Sequence, residues 1–277
     1  MVYYDSHVHT AFSTDSDTQM EQMVLQGIQN GLHGLTFTDH MDYHFPQNGN
    51  WDADESHPPF TFDLDAYFPQ VKKLQEKYKD TIQIYCGVEI GLKEDAYGEN
   101  VLLSQREQLD YCIGSTHLVH DMDPYDRQYW DAYDEKAGIE IYFEETLKNL
   151  KAKDIHIDTL GHLDYIVRYS PSGYRMYSYQ MFADIIDEIL RLIIDREISL
   201  EVNTAGYKNG GPMPNPNEDI IRRYRELGGE RITFGSDAHE TEQLCSRFHD
   251  AETIVRNAGF DYYVTFVHHK PVFHTWH

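Results

Sequence analysis

The sequence is poor in cysteine, lacks long apolar runs and has few basic residues. Its 277 residues include only three cysteines, Cys86, Cys112 and Cys245, with no Cys-x-x-Cys pair. Neither a disulfide framework nor a thiolate zinc site is therefore expected. No apolar stretch approaches the roughly 20 residues that span a bilayer, and no basic and apolar secretory signal is visible. We expect a cytoplasmic protein without a membrane partner.

Acidic residues outnumber basic ones, with 47 Asp and Glu against 23 Lys and Arg and a formal net charge of −24. Nucleic acids are bound through surfaces rich in Lys and Arg, so we do not expect a nucleic-acid partner. No glycine-rich phosphate loop follows the first predicted strand, which argues against a nucleotide-binding fold. The sixteen histidines are more than this length usually carries, and their positions hold most of the functional information.

Predicted strands and helices alternate along the chain, which favours parallel strands joined by helical crossovers. The predicted strands are Tyr3–His9, His33–Thr38, Thr81–Cys86, Leu109–Gly114, Ile155–Leu160, Ser199–Val202 and Arg231–Phe234. The predicted helices lie near Gln19–Asn30, Phe62–Asp80 with a break or kink at Pro69, Asn100–Gln108, 137–151, Gln180–Asp195, Asn217–Leu227 and Cys245–Asn257. A strand-like stretch, Tyr262–Phe273, follows. Seven such units indicate a closed α/β barrel in one domain, residues 1–277, with an open doubly wound sheet as the alternative.

Two long segments interrupt this alternation, Met41–Thr61 and the acidic, Tyr- and Trp-rich Leu118–Ala137. Loops of this length are usually functional or disordered. Their acidic and aromatic side chains are candidates for the walls of a substrate site, although a solvated acidic loop would explain each of them equally well. These candidates are Asp42, Tyr43, Trp51, Asp52, Asp121, Asp123, Tyr125 and Trp130.

His7 and His9 lie two residues apart on the first strand, so their side chains project from the same face. Two imidazoles on one face can bind a divalent cation, although an isolated His-x-His also occurs on ordinary edge strands. Asp5 lies in phase with both histidines. We interpret Asp5 as a partner that orients one of the histidines, not as a metal ligand.

Residues of the types that bind metals follow six of the seven predicted strands. They are His7, His9, His40, Glu89, His117, His162, Asp237 and His239, and Asp15 lies just beyond the first strand. The carboxyl ends of parallel barrel strands meet at one mouth, so we expect these side chains to converge. Each one alone has an ordinary explanation, such as a loop cap or a satisfied core histidine. The other histidines are assigned to loops, surface or tail: His33, His44, His57, His120, His156, His249, His268, His269, His274 and His277.

Six imidazoles and three carboxylates exceed the four ligands of one tetrahedral ion. They suit two or three ions, with a carboxylate such as Glu89 bridging. Nitrogen and oxygen ligands without thiolate favour zinc, iron or manganese. Cations about 3.5–4 Å apart can activate water and hold both the attacking and the leaving oxygen of a phosphate ester. Phosphoester hydrolysis is therefore the leading chemistry, and metal-assisted amide hydrolysis or deamination is the alternative.

The motifs that carry these residues resemble those of the polymerase-and-histidinol-phosphatase (PHP) superfamily, in the same order and from residue 3 to about residue 273. They are Asp5-Ser6-His7-Val8-His9-Thr10, Thr38-Asp39-His40, Gly87-Val88-Glu89, Ser115-Thr116-His117, Gly161-His162-Leu163-Asp164 and Gly235-Ser236-Asp237-Ala238-His239. Three further stretches are similar to the bacterial histidinol-phosphatase branch: Gly161–Tyr169, Leu200–Thr204 and Lys270–Phe273.

The resemblance implies a distorted (β/α)7 barrel with three divalent transition-metal ions, zinc, iron or manganese, at the carboxyl ends of the strands. It implies hydrolysis of L-histidinol phosphate to L-histidinol and phosphate by a metal-activated hydroxide, in histidine biosynthesis. The implied metal ligands are His7, His9, Asp15, His40, Glu89, His117, His162, Asp237 and His239. A related phosphoesterase acting on a nucleotide or another small phosphorylated metabolite is the alternative. A nuclease and a non-catalytic metal-binding module are more distant ones.

A smaller number of residues than the nine metal ligands is predicted to contact the phosphate and the leaving group. Arg168, just past the fifth strand, is the candidate for a bidentate phosphate contact, with a surface salt bridge as the alternative. Some histidinol-phosphatases carry an Arg directly after the Asn-Thr of the sixth strand; this chain does not, and Lys208 can take its place. His239 or Asp237 is predicted to protonate the leaving alkoxide. The predicted substrate contacts are Arg168, Lys208, Asn203, Tyr43 and Trp51.

Overall fold

The computed structural model describes residues 1–46 and 60–276. Its main sheet contains eight parallel strands, in the order β1-β2-β4-β5-β6-β7-β8, with the short β3 paired to the carboxyl half of β4. The strands are β1 (Tyr4–Val8), β2 (Gly34–Phe37), β3 (His40–Met41), β4 (Gln83–Gly91), β5 (Tyr111–Ser115), β6 (Thr159–Leu160), β7 (Ser199–Asn203) and β8 (Ile232–Gly235).

The first and last strands of this sheet lie side by side. The amide of His9 donates to the carbonyl of Ala238 over 2.9 Å, and the amide of Asp237 donates to the carbonyl of His7 over 2.9 Å. The seven main strands therefore form a nearly closed barrel. The predicted (β/α)7 barrel is confirmed, and the alternative of an open doubly wound sheet is wrong.

Eight α-helices occur in the described residues, and they connect the strands and pack against the barrel. They are α1 (Met20–Gln29), α2 (Leu64–Tyr78), α3 (Tyr97–Ser104), α4 (Arg127–Ala132), α5 (Glu135–Leu150), α6 (Ala183–Asp195), α7 (Glu218–Glu226) and α8 (Phe248–Asn257). Short 3-10 helices span Glu94–Ala96, Tyr165–Arg168, Gly173–Met176, Tyr179–Phe182, Thr204–Gly210 and Thr241–Gln243. None of the helices in this part of the chain is long and apolar enough to cross a membrane.

The sequence specifies these helices through caps and apolar spacing. The side chain of Asn217 accepts hydrogen bonds from the amides of Asp219 and Ile220, which caps α7. In α6, Ile186, Ile189, Leu190 and Ile193 recur at helical spacing and are fully buried. Helix α2 runs through Pro69 as one helix, and its side-chain cap is Asp63.

The third predicted strand differs most from the structure. It was expected to end at Cys86, yet β4 continues to Gly91, so Glu89 lies inside a strand and not after one. The prediction treated Gly87 as the end of the strand. In the structure this glycine lies inside the strand and allows close packing, because a Cβ there would lie 2.8 Å from the carbonyl oxygen of Tyr111. The extra strand β3 pairs with β4, and His40 on β3 lies opposite Glu89 on β4.

The last predicted strand is two strands, β9 (Tyr262–Val267) and β10 (Lys270–Thr275), which form an antiparallel hairpin. Val264 and Phe266 pack against Tyr111 of β5, and the amide of His269 donates to the carbonyl of Asp110 over 2.9 Å. Tyr111 begins its strand, so the hairpin covers the amino ends of the strands, opposite the mouth.

The predicted long segments have different outcomes. Leu118–Ala137 is packed structure that contains α4 and the start of α5, and its Tyr129 is fully buried with its hydroxyl donating to the carbonyl of Gly138 over 2.6 Å. Met41–Thr61 is described only at its two ends, and the candidates Trp51 and Asp52 lie outside the described residues.

Replacing Leu190 by Ala tests the packing of α6. The side chain is fully buried, so truncation leaves a cavity, and we expect the free energy of unfolding to fall by about 2–5 kcal/mol. Leu102, 70% exposed on α3, is the matched control, and Leu102→Ala should change it by about 0.5 kcal/mol or less. Urea denaturation at fixed metal concentration measures both. Equal losses in the two variants would contradict the assignment of α6 to the core.

Candidate metal centre and active site

The predicted ligands meet at the carboxyl ends of the strands, around the fully buried carboxylate of Glu89. Nitrogens of five histidines lie 2.9–3.4 Å from its two oxygens: His162 and His117 beside Oε1, and His40, His7 and His9 beside Oε2. The hydroxyl of Ser115 donates to Oε1 over 2.6 Å. A carboxylate with ligand atoms beside both oxygens is arranged as a bridging ligand would be.

The other three predicted ligands extend this cluster toward solvent. Oδ1 of Asp237 is 3.4 Å from Nε2 of His9. Nε2 of His239 is 3.1 Å from Oδ2 of Asp15, which is also 3.8 Å from Nε2 of His40. The structure thus brings all nine predicted ligands into one continuous cluster.

The cluster divides into overlapping sets of potential ligands. In each of three sets, one ligand atom per residue lies within 4.8 Å of the others. The sets are His7, His9 and Glu89; His40, Glu89 and His117; and His9, His40 and His239. Their donors are nitrogen and carboxylate oxygen, which suit zinc, iron or manganese.

Several buried atoms of the cluster have no hydrogen-bond partner within residues 1–46 and 60–276, namely Oε2 of Glu89, Nδ1 of His40, Nδ1 of His162 and Nε2 of His239. Glu89 and His40 approach to 3.1 Å without hydrogen-bond geometry. Buried polar atoms are normally hydrogen-bonded, whereas ligands of one cation point toward a common centre. These side chains therefore fit bound divalent cations.

A hydrogen-bond chain fixes the ring of His9. The hydroxyl of Ser13 donates to Oδ1 of Asp39 over 2.7 Å. The Ser13 oxygen, 3.0 Å from Nδ1 of His9, must then accept from that nitrogen, because its single proton is already donated. Nδ1 therefore carries the ring proton, and Nε2 offers its lone pair to the cluster.

Two carboxylates hold other histidines in the same way: Glu201, which was not predicted as part of the site, and Asp42, which was predicted only as a candidate wall of the substrate site. Oε1 of Glu201 on β7 lies 2.6 Å from Nδ1 of His7, and Oδ1 of Asp42 lies 2.6 Å from Nδ1 of His117. In both rings this leaves Nε2 for the cluster, an arrangement common behind metal-binding histidines. Gly235 leaves space for the first pair, because a Cβ there would collide with Glu201 and His7.

The prediction that Asp5 orients a histidine ring is wrong. Its carboxylate accepts hydrogen bonds from three backbone amides, those of His7 at 3.3 Å, Ser236 at 2.9 Å and Cys245 at 3.1 Å. Asp5 therefore ties the end of β1 to the segment after β8, and Glu201 has the role that the sequence pattern gave to Asp5. The alternation of β7 places Glu201 in phase with Asn203, which was the available signal.

Burial and charge set the protonation states of the cluster. Burial raises the pKa of Glu89, but the charges of His7, His117 and His40 outweigh this and hold the pKa well below its usual range. Burial, followed by the charges of His239 and His40, holds the pKa of His9 well below its ordinary value. An ionised carboxylate and a neutral imidazole are the forms that bind metals. Glu89 and His9 are in these forms, whereas neighbouring carboxylates outweigh the effect of burial and raise the pKa values of His7, His40 and His117, so these rings would release a proton when a cation binds.

A cavity of about 390 Å³ opens above the cluster. Arg168 and Lys208 line it, beside Asp237 and His239. Asn203 is fully buried behind this wall, where its amide donates to Asp237 over 3.4 Å. Tyr43, another predicted substrate contact, is half-buried and outside the cavity lining seen in the described residues. Trp51, also predicted, lies outside the described residues.

The two long segments contribute other walls of this cavity. Asp123 and Tyr125 come from the 118–137 segment, and Phe45 and Phe60 come from the described ends of the 41–61 segment. Tyr165 and Tyr169 complete the aromatic lining. A search for metal ligands could not find Phe45, Phe60, Tyr165 and Tyr169, since apolar walls have no motif of their own.

Comparison with known proteins agrees with this geometry. The family model of the PHP domain matches residues 5–205. A probable histidinol-phosphatase of Clostridium acetobutylicum is 33% identical over 270 residues, covering 98% of this chain and 96% of that protein. The histidinol-phosphatase of Lactococcus lactis is 29% identical over 269 residues, covering 95% and 93%. The crystal structure of the Lactococcus lactis histidinol phosphate phosphatase, complexed with zinc, L-histidinol and phosphate, has a TM-score of 0.85 at 28% identity, covering 98% of both chains.

The chain therefore belongs to the PHP domain family, as the motifs predicted. Within that family, these full-length relatives are histidinol-phosphatases, which agrees with the branch that the sequence resembled.

Replacing Glu201 by Gln removes the charge behind His7 while keeping the size of the side chain. We expect the affinity of the protein for zinc to fall about 10–100-fold, because such partners set the orientation and basicity of a metal-binding imidazole. Competition with a chromophoric chelator measures this affinity. Glu197→Gln, at a side chain that is 74% exposed, is the control. An unchanged zinc affinity in the Glu201 variant would refute its role.

Proposed function

We propose that this protein is a metal-dependent phosphomonoesterase that hydrolyses L-histidinol phosphate to L-histidinol and phosphate, in histidine biosynthesis. The observation that carries the proposal is the convergence of nine potential ligands from six barrel strands beneath one cavity. Full-length similarity to histidinol-phosphatases supports the substrate. The Lactococcus lactis structure with zinc, L-histidinol and phosphate supports both the metal and the products.

We propose three divalent transition-metal ions, zinc, iron or manganese, held by the nine ligands. The three sets support this number, and Glu89, which belongs to two of them, has two carboxylate oxygens to offer, whereas each imidazole would serve one ion. Bound cations of this kind neutralise phosphate charge and lower the pKa of water. The side chains around them hold the substrate in place, and phosphoryl transfer depends mainly on such positioning and on charge.

Arg168 is the proposed phosphate contact. Its guanidinium lies against the rings of Tyr165 and Tyr169, 5.7 and 5.5 Å from their centroids, and 3.8 Å from Oδ2 of Asp237. This places a planar group with several donors at the edge of the metal cluster, as a bidentate phosphate contact requires. Lys208, whose Nζ donates to the carbonyl of Asp237 over 2.7 Å, is a second cation on the same side.

Asp237 and His239 remain the candidates for protonating the leaving alkoxide, because both line the cavity beside Arg168. We further propose that residues 1–277 act as one catalytic domain, since the largest apolar cluster runs from Val2 to Tyr263. A cytoplasmic location and the absence of a nucleic-acid partner stay predictions from the composition and the charge of −24.

The leaving group of histidinol phosphate carries an amine and an imidazole, for which an anionic wall is suited. Asp123 lines the cavity, and its Oδ1 accepts from the amide of Tyr125 over 2.8 Å and from the hydroxyl of Tyr165 over 3.5 Å. Burial raises its pKa to about 6, so the carboxyl is ionised at neutral pH. We propose that Asp123 binds the cationic part of the substrate.

Phosphate release from L-histidinol phosphate with added zinc, iron or manganese tests the function. We expect activity that disappears with a chelator and returns with metal. Glu89→Gln should lower it at least about a hundredfold, the scale of losing one strong electrostatic contact to a transition state, and should bind fewer ions than the wild type. Glu230→Gln, at an exposed side chain, is the control. A metal-free protein with full activity would overturn the proposal.

A substrate panel separates this function from that of a related phosphoesterase. L-histidinol phosphate is compared with nucleoside monophosphates and other small phosphomonoesters at equal concentration. The highest kcat/KM should belong to L-histidinol phosphate. A preference for a nucleotide would be consistent with the proposed metal site but would contradict L-histidinol phosphate as the substrate.

Replacing Asp123 by Asn tests substrate recognition through its pH dependence. Above pH 7 we expect KM for histidinol phosphate to rise about tenfold or more, because a charge-assisted hydrogen bond is lost. Below pH 6 the wild-type carboxyl becomes protonated, so the ratio of the two KM values should fall toward one. Using the ratio cancels the titration of the substrate phosphate, whose pKa is about 6. A ratio independent of pH would contradict an ionised Asp123 at this contact.

A further inference from the structure

A second group of potential metal ligands lies at the amino ends of the strands, opposite the cavity. Cys112 on β5, Asp158 immediately before β6, and His269 between β9 and β10 have ligand atoms within 4.8 Å of one another. None of them belongs to the nine ligands at the mouth. The thiol is also a ligand type that the nine residues lack, and neither Cys112 nor His269 was expected to bind metal.

The carboxylate of Asp158 is the centre of this group. Its Oδ2 lies 2.8 Å from Nδ1 of His269, and its Oδ1 lies 3.2 Å from Nε2 of His156. The two imidazole rings are 4.5 Å apart at an angle of 74°. The amide of Cys112 also donates to Oδ2 over 2.8 Å. Three side chains of the kinds that bind zinc, Cys112, Asp158 and His269, therefore meet where three segments of the chain come together, and His156 lies beside the other oxygen of Asp158.

The spacing of these side chains is close to what zinc requires. Ligands at about 2.0–2.3 Å in tetrahedral geometry have neighbouring ligand atoms about 3.3–3.6 Å apart. The pairs His269–Asp158 and His156–Asp158 are 2.8 and 3.2 Å apart, similar to the 2.9 Å of His162–Glu89 at the mouth. The imidazoles are 22% and 50% exposed and line a surface groove, so they can adjust and a cation can reach them, whereas Cys112 is fully buried.

The turn that carries His269 is an independent sign of a constraint. His268 and His269 have φ angles of 48° and 60°, and a two-residue hairpin with both central residues in this region strongly prefers Asn-Gly or Gly-Gly. Two histidines are unfavourable there. The amides of both residues are held by Asp110, at its Oδ1 over 3.0 Å and at its carbonyl over 2.9 Å. This arrangement keeps the ring of His269 against Asp158.

We propose that Cys112, Asp158 and His269 form a zinc site that fastens the β9–β10 hairpin to the base of the barrel, with His156 beside it on the other oxygen of Asp158. The site lies away from the cavity and takes its ligands from separate segments of the chain, which gives it a structural role and not a catalytic one. The thiol proton of Cys112 is released to water when its sulfur binds the cation. The site joins β5 and the start of β6 to the hairpin. Asp158 and His269 are 111 residues apart in the sequence. It is independent of the phosphatase activity.

Cobalt substitution of the full-length protein tests this site. Because the nine ligands at the mouth contain no sulfur, a cobalt–thiolate charge-transfer band in the near-ultraviolet reports the second site alone. We expect the wild type to show this band and zinc to displace it. Cys112→Ser should lose the band and bind one zinc ion fewer per chain while keeping its phosphatase activity. Cys86→Ser, at another buried thiol, is the matched control and should keep the band.

His269→Gln provides a second variant, because this side chain lies in a partly exposed turn and its replacement avoids a change inside the core. It should also bind one zinc ion fewer. In the wild type, but not in this variant, removal of that ion should increase hydrogen exchange in β9 and β10. A wild type without the band, or a band that persists in Cys112→Ser, would overturn the proposal and leave an ordinary ion pair between Asp158 and two histidines.

Discussion

The buried carboxylate of Glu89 is the constraint on which the rest of the site depends. An ionised group with no exposed surface is highly unfavourable unless opposite charges or hydrogen bonds compensate for it. Here five imidazoles and the hydroxyl of Ser115 surround it. Those groups come from β1, β3, β5 and the end of β6, so the position of one carboxylate on β4 constrains the relative positions of these strand ends.

Around this centre, a second layer of polar side chains determines what the histidines can do. Glu201, Asp42 and the Ser13–Asp39 pair each occupy the outer nitrogen of one ring. Each ring is thereby held in the orientation that presents Nε2 inward. Partners of this kind fix the direction of a metal-binding imidazole and raise its basicity.

The sequence predicted the barrel and all nine clustered residues because one rule covers them: polar residues at the carboxyl ends of parallel strands meet at one mouth. It did not predict Glu201, which contacts a histidine 194 positions away, since the phase of Glu201 with Asn203 on β7 does not show which distant side chain it meets. The predicted strand boundaries were wrong where a glycine inside a strand allows close packing, as at Gly87. The hairpin turn at His268 and His269 was not predicted, because its residues are not those that normally form such turns.

The hydrogen bonds that close the barrel also set the order in which the protein can mature. His7 and His9 are synthesised first, yet the two hydrogen bonds that join their strand to the other edge of the sheet, from His9 to Ala238 and from Asp237 to His7, need the segment after β8. Asp237 and His239 come from that same late segment. The complete cluster of nine side chains and the closed barrel therefore form only after the last barrel strand has been synthesised.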